Sequence, residues 1–280
     1  MTSQPLRIVK SIKEKNSVVK VITINILCER ESWTQRRELL VEGLAAQQAD
    51  LIGLQEVMLP EDNSAWLAQQ LNMPYVQLVP YKGPDNYGAA ILSRYPFIQQ
   101  ETLDLGSQGR VAQYVQVEVD GQQLVFCNGH YYWYPGPHPE RVKQVQLLKD
   151  WLGKLPPALP IVALGDFNGM PQTPAIALMR ERFTSAYAAY HGREPEYTCP
   201  TPLKKQRSWQ YKLVKYIFNS WLNRTLRPWH GTLDYIFINQ HLRVRDCQLI
   251  LTSPAPNDRN LYPSDHFGIA AELEIVRELS

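Results

Sequence analysis

The residues with the clearest catalytic potential are an aspartate and an asparagine two positions apart. Asp166 and Asn168 follow the apolar run Ile161–Leu164. Gly165 stands between that run and Asp166, and Gly169 comes directly after Asn168. An apolar run of this length that ends in turn residues predicts a buried strand. Alternation along a strand places both polar side chains on one side of the chain. An Asx-type turn after a strand is the alternative interpretation.

Other polar residues occupy the same kind of position, at or just beyond the end of an apolar run. They are Asn25, Glu56, His130, Asp234, Asp265 and His266. Loops at strand ends carry catalytic groups on a rigid scaffold, so their joint occurrence indicates one site. Hard oxygen ligands, few histidines and no suitable thiolates favour Mg²⁺ or Mn²⁺ over zinc. This set of residues fits the hydrolysis of a phosphate ester.

The elements that must position these residues are strands joined sometimes by helices and sometimes by hairpins. The Asp120-Gly121 pair predicts a hairpin between strands at Arg110–Val119 and Gln122–Asn128. Helices are predicted to begin at Ser32, Asn63, Pro139 and Pro174, with Ser32 and Asn63 as N-caps. Such mixed connections favour mixed sheets over purely parallel ones.

The composition sets the class of protein. The chain has 280 residues, 44% of them hydrophobic and 20% charged, which is typical of a soluble globular protein. No linker is evident, so a single domain over 1–280 is predicted. The net charge of +2 says little about partners. No apolar run is long enough to span a membrane, and no secretory signal is evident, so a cytoplasmic location is expected.

The four cysteines are scattered along the chain and include no CxxC pair. They are Cys28, Cys127, Cys199 and Cys247. No histidine stands at a matching spacing, so neither a zinc site nor a disulfide framework is predicted.

Six sequence blocks together resemble a known family. The blocks LIGLQEV, GAAILSRYP, NGHYY, IVALGDFNGMP, TLDYIFIN and PSDHFGIAAEL resemble, in the same order, motifs of the endonuclease/exonuclease/phosphatase superfamily. The matching region runs from Val18 to Leu273. The resemblance implies an α/β fold like that of deoxyribonuclease I: a four-layer α/β/β/α sandwich of two packed mixed sheets with helices outside. It also implies an active site at one end of the sandwich.

The resemblance further implies a metal site. Glu56 is expected to be the principal ligand, and Asn25 and Asp265 are expected to help hold the ion or its waters. Mg²⁺ is the expected cofactor, with Mn²⁺ as a substitute.

The same resemblance implies catalytic roles for five residues. Asp166 would orient and deprotonate the attacking water, and Asn168 would bind phosphoryl oxygens. His266, paired with Asp234, would contact the phosphate, and His130 would donate to a non-bridging oxygen. Either Asp166 or the His266–Asp234 pair can be argued to be the general base.

The residues after His130 depart from the family pattern and form an aromatic loop. Tyr131 and Trp133 are candidate substrate-binding residues that would either stack on a base or roof the cleft. Arg141, at the start of the next helix, is a third candidate, for which the alternative is a solvated helix arginine.

The stretch 197–231 is rich in lysine, arginine and aromatic residues, and it is predicted to be an insertion. A basic amphipathic helix is predicted from about Ser208 to Arg224. Three interpretations stay open: a nucleic-acid surface, a helix lying on an anionic membrane, or a helix that packs on its own domain.

The function expected from the sequence is that of a Mg²⁺-dependent phosphodiesterase acting on nucleic acid, as an endonuclease or exonuclease. One alternative is a phospholipid, sphingomyelin or phosphoinositide hydrolase that docks on membranes. A second is a non-catalytic phosphate-binding module. No protein partner is inferred, and a monomer is expected.

Overall fold

The computed structural model describes residues 17–83, 86–203 and 229–276, in which two six-stranded sheets form the centre. The strands are β1 (Val18–Asn25), β2 (Leu51–Met58), β3 (Tyr75–Pro80), β4 (Tyr87–Ser93), β5 (Gln99–Asp104), β6 (Val111–Val119), β7 (Gln122–His130), β8 (Ile161–Asp166), β9 (Thr184–Ser185), β10 (Asp234–Ile238), β11 (Leu242–Ile250) and β12 (Gly268–Ile275). The α-helices are α1 (Trp33–Ala45), α2 (Asn63–Gln70), α3 (Pro139–Leu152), α4 (Pro174–Arg180) and α5 (Ala186–His191).

Each sheet contains one parallel pair of strands near its centre. The first sheet has the order β11-β12-β1-β2-β4-β3, and the second has the order β5-β6-β7-β8-β10-β9. In the first sheet β1 and β2 are parallel, in the second β7 and β8 are parallel, and all other neighbours are antiparallel. Both sheets are therefore mixed, as the sequence predicted.

The apolar faces of the two sheets define four layers. The inner faces meet in a core that contains Val21 and Leu51 from the first sheet and Phe126 and Leu164 from the second. A second cluster lies under α1 and α2, and a third lies under α3 and α4. Because each sheet buries both faces, the architecture is the predicted α/β/β/α sandwich.

A buried polar network joins the two sheets close to one end. The amide of Asn128 on β7 donates to the carbonyls of Leu54 (3.0 Å) and Ala90 (3.0 Å) on the first sheet. The side chain of Gln55 donates to Asn128 Oδ1 at 2.7 Å. Gly53 makes this close approach possible, since a Cβ there would lie 2.4 Å from Leu164 Cδ1. These hydrogen bonds fix the register of one sheet on the other.

Several local predictions are confirmed and others need correction. The hairpin at Asp120-Gly121 joins β6 to β7 as predicted. Asn63 is not the cap of α2, because the Asp62 side chain accepts from Ala65 N and Asn63 is the first helical residue. Strand β5 was missed because its residues are polar and mostly exposed.

The helix predicted over 208–224 lies outside the described residues. Among the described helices, none has the length and apolar character needed to cross a membrane.

Replacing Asn128 with alanine tests the inter-sheet network. The variant removes the side-chain donor from the buried carbonyls of Leu54 and Ala90 and one of the three acceptors of the Gln55 amide, so the free energy of unfolding should fall by about 1–3 kcal/mol. Urea unfolding of the purified protein measures this change. Gln100→Ala, at an exposed position of β5, is the matched control and should unfold like the wild type. Equal stability of the two variants would show that the network does not hold the sheets together.

Candidate active site

The parallel pairs bring four of the predicted residues to one end of the sandwich. In the first sheet Asn25 ends β1, and Glu56 lies next to it on β2. In the second sheet His130 ends β7 beside Asp166, which ends β8. Since the carboxyl ends of both pairs lie at the same rim, the four side chains meet across the gap between the sheets.

Two antiparallel strands deliver further residues to the same rim. Asp234 begins β10 and is the register partner of Asp166. His266 lies two residues before β12, which runs antiparallel to β1. An antiparallel strand begins at the end of the sheet where its neighbour finishes. The start of β10 and the residues just before β12 therefore lie at the same rim as the ends of β8 and β1.

The side-chain amide of Asn25 joins carboxylates that belong to different sheets. Its nitrogen donates to Glu56 Oε1 at 3.2 Å and to Asp166 Oδ2 at 3.2 Å. Its oxygen accepts from the backbone N–H of Leu27 at 3.0 Å. Asn25 therefore links the two carboxylates, and because its oxygen has a second lone pair, its expected part in holding the ion or its waters stays a prediction.

Glu56 is held in a strained backbone conformation. It lies in a bulge of β2 with φ of 60°, in the left-handed region that non-glycine residues seldom adopt. Its second carboxylate oxygen accepts from Cys28 N at 3.1 Å. The bulge aims the side chain at the rim, and this kind of strain is common at functional sites.

His130 is a buried, neutral donor. Its Nδ1 lies 3.1 Å from Arg110 Nη1 and 2.9 Å from the Tyr81 hydroxyl. Arginine has no acceptor, so Nδ1 must accept, and the ring proton is on Nε2, which lies 3.5 Å from Asp166 Oδ2. Burial and then the charges of Arg110 and His266 hold the pKa of His130 well below its usual range. Neither Arg110 nor Tyr81 was predicted from the sequence, although an arginine at the start of a buried strand was a usable signal.

His266 forms a buried pair with Asp234. Its Nδ1 lies 2.9 Å from Asp234 Oδ2, and the same carboxylate oxygen accepts from the Thr198 hydroxyl at 2.6 Å. Burial disfavours the charged imidazole, but the Asp234 carboxylate and the Cys199 thiol outweigh it and raise the pKa of His266 well above its usual value. His266 is therefore the cationic histidine of the site, and His130 is the neutral one.

Asp166 and Asn168 form the Asx-type turn that was the alternative interpretation, and they line the site as well. Asn168 N donates to Asp166 Oδ1 at 2.9 Å, with Asn168 in the left-handed region at φ 50°. The Asn168 amide donates to Tyr131 O at 3.1 Å. Burial and the nearby Asp234 carboxylate raise the pKa of Asp166 to about 7.

The charge balance of the rim fits a divalent cation. Within the described ranges, neither Glu56 nor Asp166 forms an ion pair with a lysine or arginine. Of the residues of the site, His266 is the one cationic side chain beside Asp166 and Asp234, so the carboxylates outnumber it, and a bound divalent cation would offset the excess negative charge. Asp265 interacts electrostatically with Cys28, as Glu56 does, which places both acids on the same side of the site. Carboxylate oxygens are the ligands that Mg²⁺ prefers.

Of the three residues predicted to bind substrate, the structure leaves one exposed. Trp133 is 51% exposed at the mouth of the site. Tyr131 is buried and stacks on Phe167 with ring centroids 4.4 Å apart, so its assignment as a substrate contact is wrong. Gly129 makes room for it, since a Cβ there would lie 2.5 Å from the Tyr131 hydroxyl.

Arg141 is buried, so the solvated alternative is wrong, and its contact with substrate stays a prediction, because Arg141 is one of the residues that line a cleft next to Asn168. Its guanidinium donates to the carbonyls of Tyr132 (2.9 Å), Tyr134 (2.5 Å) and Gly136 (2.6 Å). These bonds fix the aromatic loop that follows β7. Arg36, which sequence analysis did not single out, does the same for the loop after β1 and also donates to Pro263 O at 2.9 Å, next to the loop that carries His266.

A family model for the endonuclease/exonuclease/phosphatase family matches residues 22–266. The chain belongs to that family. The match covers every residue of the site described above, which confirms the resemblance drawn from the sequence blocks.

Relatives of known name are distant. Human Nocturnin is 25% identical over 282 residues, which cover 89% of this chain and 60% of that protein. Bovine 2′,5′-phosphodiesterase 12 is 25% identical over 203 residues, covering 65% of this chain and 31% of that protein. The chain thus spans less than two thirds of the length of these relatives.

Solved structures confirm the fold. Zebrafish (D. rerio) TDP2 in complex with a single-strand DNA product superposes with a TM-score of 0.74 at 18% identity, covering 92% of this chain and all of that one. The human Nocturnin catalytic domain with a bound sulfate anion gives a TM-score of 0.72 at 22% identity, covering 93% and 94%. Both share the sandwich of two packed sheets described above.

The raised pKa of Asp166 predicts a pH dependence of stability in the metal-free protein. Its pKa rises from 3.8 to about 7 on folding, so over that interval the folded state keeps a proton that the unfolded state releases. The free energy of unfolding contributed by this group therefore falls as the pH rises toward 7. Urea unfolding with chelator between roughly pH 5 and pH 7.5 should show a shallower decline in Asp166→Asn than in the wild type. Equal slopes would mean that Asp166 keeps an ordinary pKa.

Proposed function

We propose that this chain is a divalent-cation-dependent phosphodiesterase that cleaves phosphodiester bonds in nucleic acid. The observation that carries the proposal is the meeting of Glu56, Asp166, a neutral His130 and the His266–Asp234 pair at one rim. The family contains hydrolases of phosphate esters, and a phosphodiesterase is named among the relatives. The single-strand DNA product bound to TDP2 supports a nucleic-acid substrate.

The two histidines would bind the phosphate in different ways. His130 presents an uncharged Nε2–H, which suits a hydrogen bond to a non-bridging oxygen. His266 is cationic and held by Asp234, so it stabilises negative charge that develops on the phosphate. Since His266 already carries its proton, Asp166 is the better candidate for the general base, and its raised pKa suits that role near neutral pH.

Glu56 and Asp265 would hold the cation, and the Asp166 carboxylate, which Asn25 links to Glu56, would face the same ion from the second sheet. Mg²⁺ is the ion that this oxygen-rich set fits best, and Mn²⁺ would serve as a substitute. When bound, the ion supplies Lewis-acid charge for the phosphate oxygens. Asn25 keeps Glu56 and Asp166 at a fixed separation through its two hydrogen bonds.

An apolar cleft next to Asn168 supports a substrate that carries a flat ring. The cleft has a volume of about 350 Å³, and its walls include Trp133, Trp229, Met170 and Leu233. Both tryptophans are about half exposed, at 51% and 53%. Aromatic side chains of this kind stack on nucleobases whatever their sequence. A base next to the scissile phosphate would therefore fit between them, with Asn168 on the phosphate side.

Hydrolysis of a single-stranded oligonucleotide in Mg²⁺ tests the proposal. Wild-type protein should cleave it, and chelator should stop the reaction. Glu56→Gln removes the principal cation ligand and should lower kcat/KM by about a hundredfold or more. Glu61→Gln is the matched control, since Glu61 is an exposed acid just beyond β2 that pairs with exposed Arg30. It should cleave at the wild-type rate.

The substrate panel also separates the alternatives. It includes 3′,5′-linked and 2′,5′-linked oligonucleotides and vesicles that contain sphingomyelin or phosphoinositide. Cleavage of an oligonucleotide should weaken as salt is added, because phosphate contacts release counterions. Turnover of the vesicle lipids alone would contradict the proposed substrate class. Activity retained in Glu56→Gln would contradict the proposed site.

A further inference from the structure

A cysteine that the sequence analysis left unassigned lies against the catalytic histidine. Cys199 is buried, and its thiol lies within hydrogen-bonding reach of the His266 side chain. One ligand atom from each of Cys199, Asp265 and His266 lies within 4.8 Å of the others. Nothing in the proposed hydrolysis uses the thiol.

The backbone holds this cluster in place. Thr201 N donates to Asp265 O at 2.8 Å, and Phe267 N donates to Thr198 O at 2.8 Å, so the segment 198–201 is pinned along the segment 265–267. On the other side, Cys199 N donates to Gly231 O at 3.1 Å. The three side chains are therefore brought together by two separate parts of the chain, which explains why their spacing in the sequence gave no zinc motif.

The donor set differs in kind from that of the Glu56 site. A thiolate, an imidazole and a carboxylate are ligands that Zn²⁺ accepts in tetrahedral sites, whereas Mg²⁺ prefers oxygen alone. Cys28 offers no equivalent, because it lies beside the carboxylates of Glu56 and Asp265, and among the described residues no histidine joins it in a cluster of this kind. The rim thus holds two sets of metal ligands that share Asp265. The set around Glu56 offers carboxylate oxygens, and the other set adds the sulfur of Cys199 and an imidazole nitrogen of His266.

We propose that Cys199, Asp265 and His266 form a site for a soft divalent cation such as Zn²⁺, and that occupation of this site inhibits the enzyme. Binding releases two protons to the solvent, one from the Cys199 thiol and one from the cationic imidazole of His266, because both ligands must be deprotonated to bind the metal. The ion occupies the His266 side chain, which then no longer serves the substrate phosphate. The inhibitory part of this inference rests on the proposed function, whereas the binding part does not.

Cobalt absorption tests the binding part without any substrate. Co²⁺ replaces Zn²⁺ in such sites, and a cobalt–thiolate bond absorbs in the near ultraviolet. In saturating Mg²⁺, wild-type protein should show this band with one equivalent of Co²⁺, and Zn²⁺ should abolish it. Cys199→Ser and Cys199→Ala should both lack the band, while Cys28→Ser, the matched thiol control at the same rim, should keep it. A band that survives in the Cys199 variants, or that is lost in Cys28→Ser, would overturn the assignment.

Zinc titration of the Mg²⁺-supported hydrolysis tests the inhibitory part. The Zn²⁺ concentration for half-inhibition, relative to each variant's own zinc-free rate, should rise by about tenfold or more in Cys199→Ser. Equal inhibition in wild type and Cys199→Ser would refute a regulatory role for the site. If wild-type protein cleaves none of the substrates, the proposed function fails, and the cobalt experiment still decides whether the cation site exists.

Discussion

The structure depends on one contact across the gap between its two sheets. Asn25, at the end of a strand in the first sheet, donates to Glu56 of its own sheet and to Asp166 of the second. The free energy needed to keep two carboxylates side by side comes from the packing of the sheets, because burial alone would drive them apart or protonate them. The rim therefore holds carboxylates whose mutual repulsion disfavours the folded state, and a bound divalent cation would offset that repulsion.

The surrounding architecture serves to hold this rim rigid. Both strands of the parallel pair in each sheet end at the rim, so the candidate functional residues at their ends lie side by side. Two buried arginines bind the carbonyls of the loops that leave the rim, Arg36 after β1 and Arg141 after β7. Planar guanidinium groups can bind several carbonyls at once, and this explains why arginines occur here in otherwise apolar surroundings. The same two arginines thus stabilise the fold and hold the loops that border the candidate site.

Much of this arrangement could be predicted from the sequence. Apolar runs that end in Asp166, Asn25 or Glu56 predicted strands with functional ends, and the Asp120-Gly121 hairpin was predicted from local chemistry alone. The direction of long polar side chains could not be predicted. Arg141 shares its helix with polar residues and gave no sign that its guanidinium turns inward to carbonyls. The contacts of Arg110 with His130, and of Cys199 with His266, depend on register between distant segments, which no local pattern encodes.

A double-mutant cycle on cation binding tests most directly whether the two sheets share one ion. Calorimetric titration with Mn²⁺ would compare wild type, Glu56→Gln, Asp166→Asn and the double variant. If both carboxylates serve the same ion, each single variant should weaken binding strongly, and the double variant should lose much less than the sum of the two losses. Additive losses, or wild-type affinity in either single variant, would contradict a cation site shared between the sheets.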